Sequence, residues 1–255
     1  YAIMNYLVIY PGRFHPFHRG HKASYDWLTK KFGDDSVYIA TSNVQAPVTS
    51  PFNYSDKVMM MTKLGVPAGR VANVKNPYQA AEITANIPDE EKSKTALIFA
   101  VSEKDAQRFN FAPKKDGSAS YLQLLPANTK KLKPMTKHGY VVVTPTINFK
   151  VNGVDANSAS EIRKMYIKGN DNDKNQVIAD LYGQPDAAIR DIFDKKLGIV
   201  EQAQNYIREA REFGAAKVVD WMQRVLILEQ QANSFDTDFA HLKPDYIDEK
   251  NYNRK

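Results

Sequence analysis

The chain has 255 residues and no cysteine, is 43% hydrophobic and 25% charged, and has a mean hydropathy of −0.51. That mixture can bury a sizeable core, and it excludes wholesale disorder, a disulfide scaffold, thiol catalysis and any Cys-ligated zinc or iron–sulfur site. The net charge of +6, from 35 basic and 29 acidic residues, suits anionic substrates such as nucleotides without marking a nucleic-acid binder. Ile3–Tyr10 is a short apolar run closed by Pro11-Gly12, which predicts a buried strand. The run is too short to span a membrane and has no basic stretch before it, so no signal peptide is read. The chain begins at Tyr1 rather than Met, as a trimmed or partial sequence would. A helix is predicted over Gly20–Lys31, with Ala23, Trp27 and Leu28 on one face, and a strand over Ser36–Thr41. Ser55 reads as the N-cap of a helix carrying Val58, Met59, Met61 and Leu64 and stopping at Gly65. A weaker strand at Arg70–Val74 and a helix near Tyr78–Asn86 follow. Then come strands at Thr95–Val101 and Tyr140–Pro145, and a helix over Asp155–Ile167. This alternation predicts an α/β protein with a parallel sheet and helices on both faces. The long, Lys-, Asn- and Pro-rich segment Arg108–Pro134 is either a substrate lid or an insertion.

Beyond residue 168 the pattern changes. Asn170–Lys174 and Gly183–Asp186 read as polar breaks, and everything from Pro185 reads as helix: Ala187–Lys196, then an amphipathic stretch over Val200–Gln231. An apolar face of that length must be covered, by the sheet domain or by a second copy, and self-association is the expectation. The domain division is therefore 1–168 for an α/β domain and 169–255 for a helical C-terminal extension.

Three of the five histidines fall in one stretch, Gly12-Arg13-Phe14-His15-Pro16-Phe17-His18-Arg19-Gly20-His21, between the first strand and the first helix. In an open α/β sheet ligands bind at the carboxyl ends of strands. A helix start there offers free backbone N–H groups and a positive dipole end to an anion. Gly20 permits a close approach that a side chain would block. A His-x-x-His pair can also share a metal ion, but no HExxH glutamate and no cysteine are present to complete a set, so no metal is assigned to protein ligands.

The stretch resembles the signature of the HxGH nucleotidyltransferase superfamily, here His18-Arg19-Gly20-His21. In its wider form it most resembles the archaeal-type nicotinamide-mononucleotide adenylyltransferases, whose loop runs GRFxPFHxGH. Ser50–Met60 resembles the family's NPFTxxERxxMI segment, with Asp56-Lys57 in place of Glu-Arg. Asn157–Arg163 resembles its ISxTxIR segment, with Asn157 for isoleucine and Ser160 for threonine. The resemblance covers about residues 3–168. It implies a Rossmann-like sheet and transfer of a nucleotidyl group, most simply AMP from ATP to a phosphate-bearing small molecule such as nicotinamide mononucleotide, with release of pyrophosphate. It implies His18, His21 and Arg13 as the catalytic set. Gly12, Phe14, His15, Gly20, Ser158, Ser160 and Arg163 become nucleotide-binding residues, with Mg²⁺ arriving with the nucleotide. Ser158–Arg163 also reads as an ordinary helix cap, and Val101–Asp105 as a solvated helix cap in preference to a contact with the ribose or base of a substrate.

Two alternatives stand beside this. Cytidylyl transfer is one, although relatives of that kind carry a GTFDxxHxGH loop that Arg13 and His15 do not match. The whole chain also resembles nucleotidyltransferase-like proteins of tailed bacteriophages, which allows a catalytically weak nucleotide-binding or particle-associated module. The expected setting is the cytoplasm, the host's if the chain is phage-encoded. No membrane or specific nucleic-acid partner is expected.

Overall fold

The computed structural model describes residues 4–214 and Arg224. In chain order it contains β1 Asn5–Pro11, α1 Arg19–Phe32, β2 Val37–Thr41, α2 Tyr54–Lys63 and β3 Val71–Asn73. There follow the one-turn helices α3 Ala81–Thr84 and α4 Asp89–Lys92, then β4 Thr95–Val101, α5 Glu103–Ala106, β5 Leu122–Leu124 and β6 Gly139–Val143. A small hairpin of β7 Lys150–Val151 and β8 Val154–Asp155 precedes three helices, α6 Ala159–Lys168, α7 Asp171–Tyr182 and α8 Ala187–Phe213.

β1 to β6 form one parallel sheet in the order β3-β2-β1-β4-β6-β5, a Rossmann-like arrangement. The chain winds outward from β1 to β2 and β3, then restarts on the other side at β4. The carboxyl ends of β1 and β4 therefore flank the crevice where ligands bind in such sheets. β1 is buried from Leu7 to Pro11, where both its faces are covered, while Asn5 at its start is exposed. Val8 and Tyr10 face one core cluster, Leu7 and Ile9 the other.

The two faces are covered differently. α1, α2, α6, α7 and α8 contribute to the first cluster, through residues such as Leu28, Met60, Tyr166, Leu181 and Phe193. On the second face the helices are short. Ile83 of α3 and Ala106 of α5 reach it, and Phe109, Leu122 and Met135 fill the rest. The Arg108–Pro134 segment thus builds the edge strand β5 and part of the core, so it is an integral layer of the sheet domain.

Several expected boundaries shift for local reasons. The cap of α2 is Asn53, not Ser55: its Oδ1 accepts the Asp56 N–H at 2.8 Å and the Asp56 carboxylate accepts the Asn53 N–H at 2.9 Å. The helix expected over Tyr78–Asn86 shrinks to α3, because Asn76 accepts from the N–H groups of Tyr78, Gln79 and Ala80 and folds them into a turn. The helix expected from Asp155 starts after Ser158, since Asp155 pairs with Lys150 in the hairpin. The polar stretch Asn170–Lys174 is not a break. Asn170 and Asp173 form a reciprocal capping box that starts α7, and Asp171 and Asp173 lie at the positive end of its dipole.

α8 runs unbroken through Gly198, where the sequence suggested two helices. Its Ile189, Phe193, Leu197 and Val200 are all buried at helical spacing. The outer part of the expected Val200–Gln231 stretch, on which the expectation of self-association rests, lies outside the described residues apart from Arg224. Phe193 sits among Phe52, Tyr166 and Tyr182, with ring centroids 5.1, 5.1 and 6.3 Å away. Phe193→Ala should therefore cost about 3–5 kcal/mol of stability, read by urea unfolding. A loss under about 1 kcal/mol would show that α8 contributes little to the core. No helix among the described residues is long and apolar enough to cross a membrane.

Candidate active site

The loop after β1 is shaped by packing before any chemistry. Phe14 adopts a left-handed backbone conformation, φ 54°, which turns its ring back into the core. There it meets Tyr10, Phe17 and His21 edge-on, with centroids 5.6, 5.2 and 5.1 Å apart. Gly12 makes this possible, since a Cβ there would lie 2.5 Å from the Phe14 ring. The His15–Pro16 peptide is cis. His15 is buried, its Nδ1 accepts the Phe52 N–H at 3.3 Å, and its ring stacks on Phe52. Phe14 and His15 were expected as nucleotide contacts; both side chains are packed inside the protein.

His18 and His21 form an uncommon helix start. His18 is the N-cap of α1, and its Nδ1 accepts the Gly20 N–H at 3.1 Å. His21 reciprocates, its Nδ1 accepting the His18 N–H at 3.2 Å. The two rings stack with centroids 3.9 Å apart. A nitrogen that accepts a hydrogen bond carries no proton, so in the neutral ring the proton sits on Nε2. Neutrality is enforced. Burial lowers the His21 pKa to about 4; burial, then His21 and Arg19, hold His18 well below its ordinary value. Both Nε2–H groups are thus donors at neutral pH, and neither has a protein partner among the described residues. The first turn of α1 holds no acidic side chain, so its positive end is uncompensated.

The glycine of this turn matters for a neighbour that the sequence reading missed. A Cβ on Gly20 would lie 2.8 Å from Cε1 of Phe149, from the segment between β6 and β7. The Arg19 guanidinium lies 4.6 Å over the Phe149 ring, and His18 meets that ring edge-on at 5.1 Å. Nothing in the local pattern of residues 144–149 signals this, because the contact depends on where β6 leaves the chain.

From α6, Arg163 reaches the loop, and its Nη1 donates to the His15 carbonyl at 2.7 Å. Burial lowers its pKa and nearby Arg13 adds to the effect, which places two cations in one neighbourhood. Neither guanidinium pairs with a carboxylate among the described residues. Ser158 caps α6, its Oγ accepting the Glu161 N–H at 3.2 Å, while Ser160 is exposed in the first turn. The structure therefore brings Arg13, His15, His18, Gly20, His21 and Arg163 together. It occupies the Ser158 hydroxyl in the cap. Lys57 was also missed as a site residue: it is buried beneath the loop, its Nζ on the Arg13 carbonyl.

The neutral histidines make stability depend on acid. In the unfolded chain they bind protons near pH 6.5, while His21 resists down to about 4 and His15 and His18 are shifted the same way. Between those values the unfolded state holds more protons, so stability is complete above about pH 6.5 and falls toward pH 4. Thermal melts should show Tm falling across that window, and His21→Asn should flatten the fall. A Tm independent of pH from 7 to 4 would contradict neutral histidines.

A family model described as cytidylyltransferase-like matches residues 9–164, more than half of the chain. The chain belongs to that family. The matched region begins in β1 and ends in α6, so it contains the His18–His21 turn and Arg163. Among curated relatives, a nicotinamide-nucleotide adenylyltransferase of Sulfurisphaera tokodaii is 31% identical over 56 residues, 22% of this chain and 33% of the relative. One of Methanocorpusculum labreanum is 34% identical over 55 residues, with the same shares. The chain thus spans about a third of the length of the curated relatives it matches. Among solved structures it is similar to a bifunctional NMN adenylyltransferase/ADP ribose pyrophosphatase from Francisella tularensis complexed with AMP and a Mn ion. That likeness has 13% identity and a TM-score of 0.44, over 82% of this chain and 56% of the other.

Proposed function

We propose that this member of the cytidylyltransferase-like family is a nucleotidyltransferase that moves AMP from ATP to a phosphate-bearing small molecule, with nicotinamide mononucleotide as the preferred acceptor. The observation that carries the reading is the pair of neutral histidines, each with Nδ1 engaged by the backbone and Nε2–H free, at the start of a helix facing the β1/β4 crevice. The GRFHPFHRGH loop favours adenylyl over cytidylyl transfer, and the two curated relatives are adenylyltransferases by name.

An oxygen of the acceptor phosphate attacks the α-phosphorus of ATP in line. A new P–O bond forms, the bond to the bridging oxygen of the β-phosphate breaks, and pyrophosphate leaves with that electron pair. No covalent enzyme intermediate is needed, so the protein supplies position and charge. His18 and His21 donate Nε2–H bonds to the phosphoryl oxygens as charge builds there. Arg13 and Arg163 offset the triphosphate's charge, and Ser160 and the N-terminus of α6 bind its outer phosphates. Gly12 and Gly20 give the backbone its close approach. Phe14, His15 and Ser158 act by shaping loop and cap. Mg²⁺ enters as part of the nucleotide substrate. No cluster of three or more His, Asp or Glu side chains that could hold an ion occurs among the described residues. Residues 1–168 form the transferase domain in this reading and 169–255 its C-terminal extension, of which 215–223 and 225–255 lie outside the described residues.

The test is pyrophosphate release with each nucleoside triphosphate, scanned across nicotinamide mononucleotide, phosphopantetheine, FMN and glycerol 3-phosphate. ATP with nicotinamide mononucleotide should give the fastest turnover. Preference for CTP would reassign the nucleotide, and no release with any pair would remove the catalytic reading.

A further inference from the structure

Buried carbonyls in a loop have no ladder partner and are costly unless a donor reaches them. In Gly12–Phe17 three alternate carbonyls each find a donor from a different helix, and the Arg13 carbonyl also accepts from Thr41 of β2 at 3.4 Å. Lys57 Nζ of α2 donates to Arg13 at 3.1 Å, Arg163 Nη1 of α6 to His15 at 2.7 Å, and the Tyr182 hydroxyl of α7 to Phe17 at 2.7 Å. Lys57 also donates to Thr41 Oγ1 at 2.9 Å and the Ser42 carbonyl at 2.5 Å, so all three ammonium hydrogens are engaged at the heads of β1 and β2.

The third of these contacts leads through one peptide unit to His21. The Phe17 carbonyl and the His18 N–H belong to one planar peptide unit. One side of that unit accepts from Tyr182; the other donates to His21 Nδ1 at 3.2 Å. Fixing the carbonyl fixes the plane, and the plane sets where His21 finds its partner. Polarisation runs the same way, since a donor on the carbonyl strengthens the N–H on the far side. Tyr182 is buried, its ring packs on Phe193, and it lies beyond the 9–164 span of the family model.

We propose that Tyr182 is a positioning residue of the transfer site, acting through the Phe17–His18 peptide to hold His21 and the head of α1 in one geometry. The proposal rests on the reading of His18 and His21 as the transfer donors. It gives α7, outside the family's shared region, a part in the chemistry without contact to substrate.

Tyr182→Phe deletes the hydroxyl and keeps the ring. It should lower kcat roughly three- to tenfold, the kinetic equivalent of one neutral hydrogen bond, with KM within about twofold. Amide exchange should quicken over residues 13–20 and not across the sheet. Tyr166→Phe is the control. That hydroxyl is also hydrogen-bonded but donates to Asp194, away from the loop. It should lower Tm while leaving kcat and the 13–20 exchange unchanged. Wild-type kcat and exchange in Tyr182→Phe, exchange that rises uniformly, or the same kcat loss in Tyr166→Phe would each overturn the proposal. Exchange needs no turnover, so an inactive parent would remove the transferase reading while the loop exchange still decides the coupling.

Discussion

Replacing His18 or His21 with alanine is expected to lower kcat by roughly 10²–10³, the usual cost of losing one preorganised donor to a developing oxyanion. Each histidine does two things in the structure. Its Nε2–H is a free donor, and its Nδ1 satisfies an N–H of the helix start. Alanine removes both, so a loss of about 0.5–2 kcal/mol of stability should accompany the loss of rate. Asparagine separates them, since its side-chain oxygen accepts near the position of Nδ1 while no Nε2–H remains. His18→Asn and His21→Asn should recover most of the Tm and none of the kcat. Pyrophosphate release beside thermal melts measures both. Wild-type turnover in either alanine variant would remove that histidine from the transfer machinery.

Arg163→Lys is expected to weaken ATP binding roughly ten- to a hundredfold, equivalent to losing a charge-assisted contact of about 1.5–3 kcal/mol. The structure sharpens the reason. One guanidinium N–H is taken by the His15 carbonyl at 2.7 Å, and the others remain for phosphate oxygens. The planar fork can serve both at fixed geometry, whereas a lysine ammonium is a single point at the end of a flexible stem. Ser160→Thr, at an exposed position in the same turn, should leave affinity unchanged or slightly improved. Titration calorimetry with ATP measures both variants. Parent-like affinity in Arg163→Lys would make α6 a scaffold and place the phosphates elsewhere.

The elements that could be read from the chain were those with local causes. Thr95–Val101 is buried throughout and apolar after its first residue, as a strand covered on both faces must be, and it appears with those bounds. The turn into α1 was legible because its glycine, arginines and histidines are contiguous, so their chemistry is concentrated before the chain folds. Misreadings came from competing local signals. Asn53 outcompeted Ser55 as a cap because Asp56 could reciprocate, and the polar run at Asn170 was a capping box read as a loop.

What residues 4–21 determine by themselves is a strand, a turn with three histidines and a helix start able to receive an anion. Tertiary structure alone decided how that turn is held. The side-chain donors on its carbonyls come from residues 28 to 165 positions away. Phe149 reaches Gly20 from the far side of the sheet's switch point, and Tyr182, whose hydroxyl donates to the Phe17 carbonyl, sits in a helix whose first turn the sequence presented as a polar break. Hydrophobic period and capping chemistry act over a few residues, so they are written locally. A hydrogen bond between a loop carbonyl and a distant side chain exists only once the sheet order and the helix packing have brought the two together, and no short window of sequence carries that information.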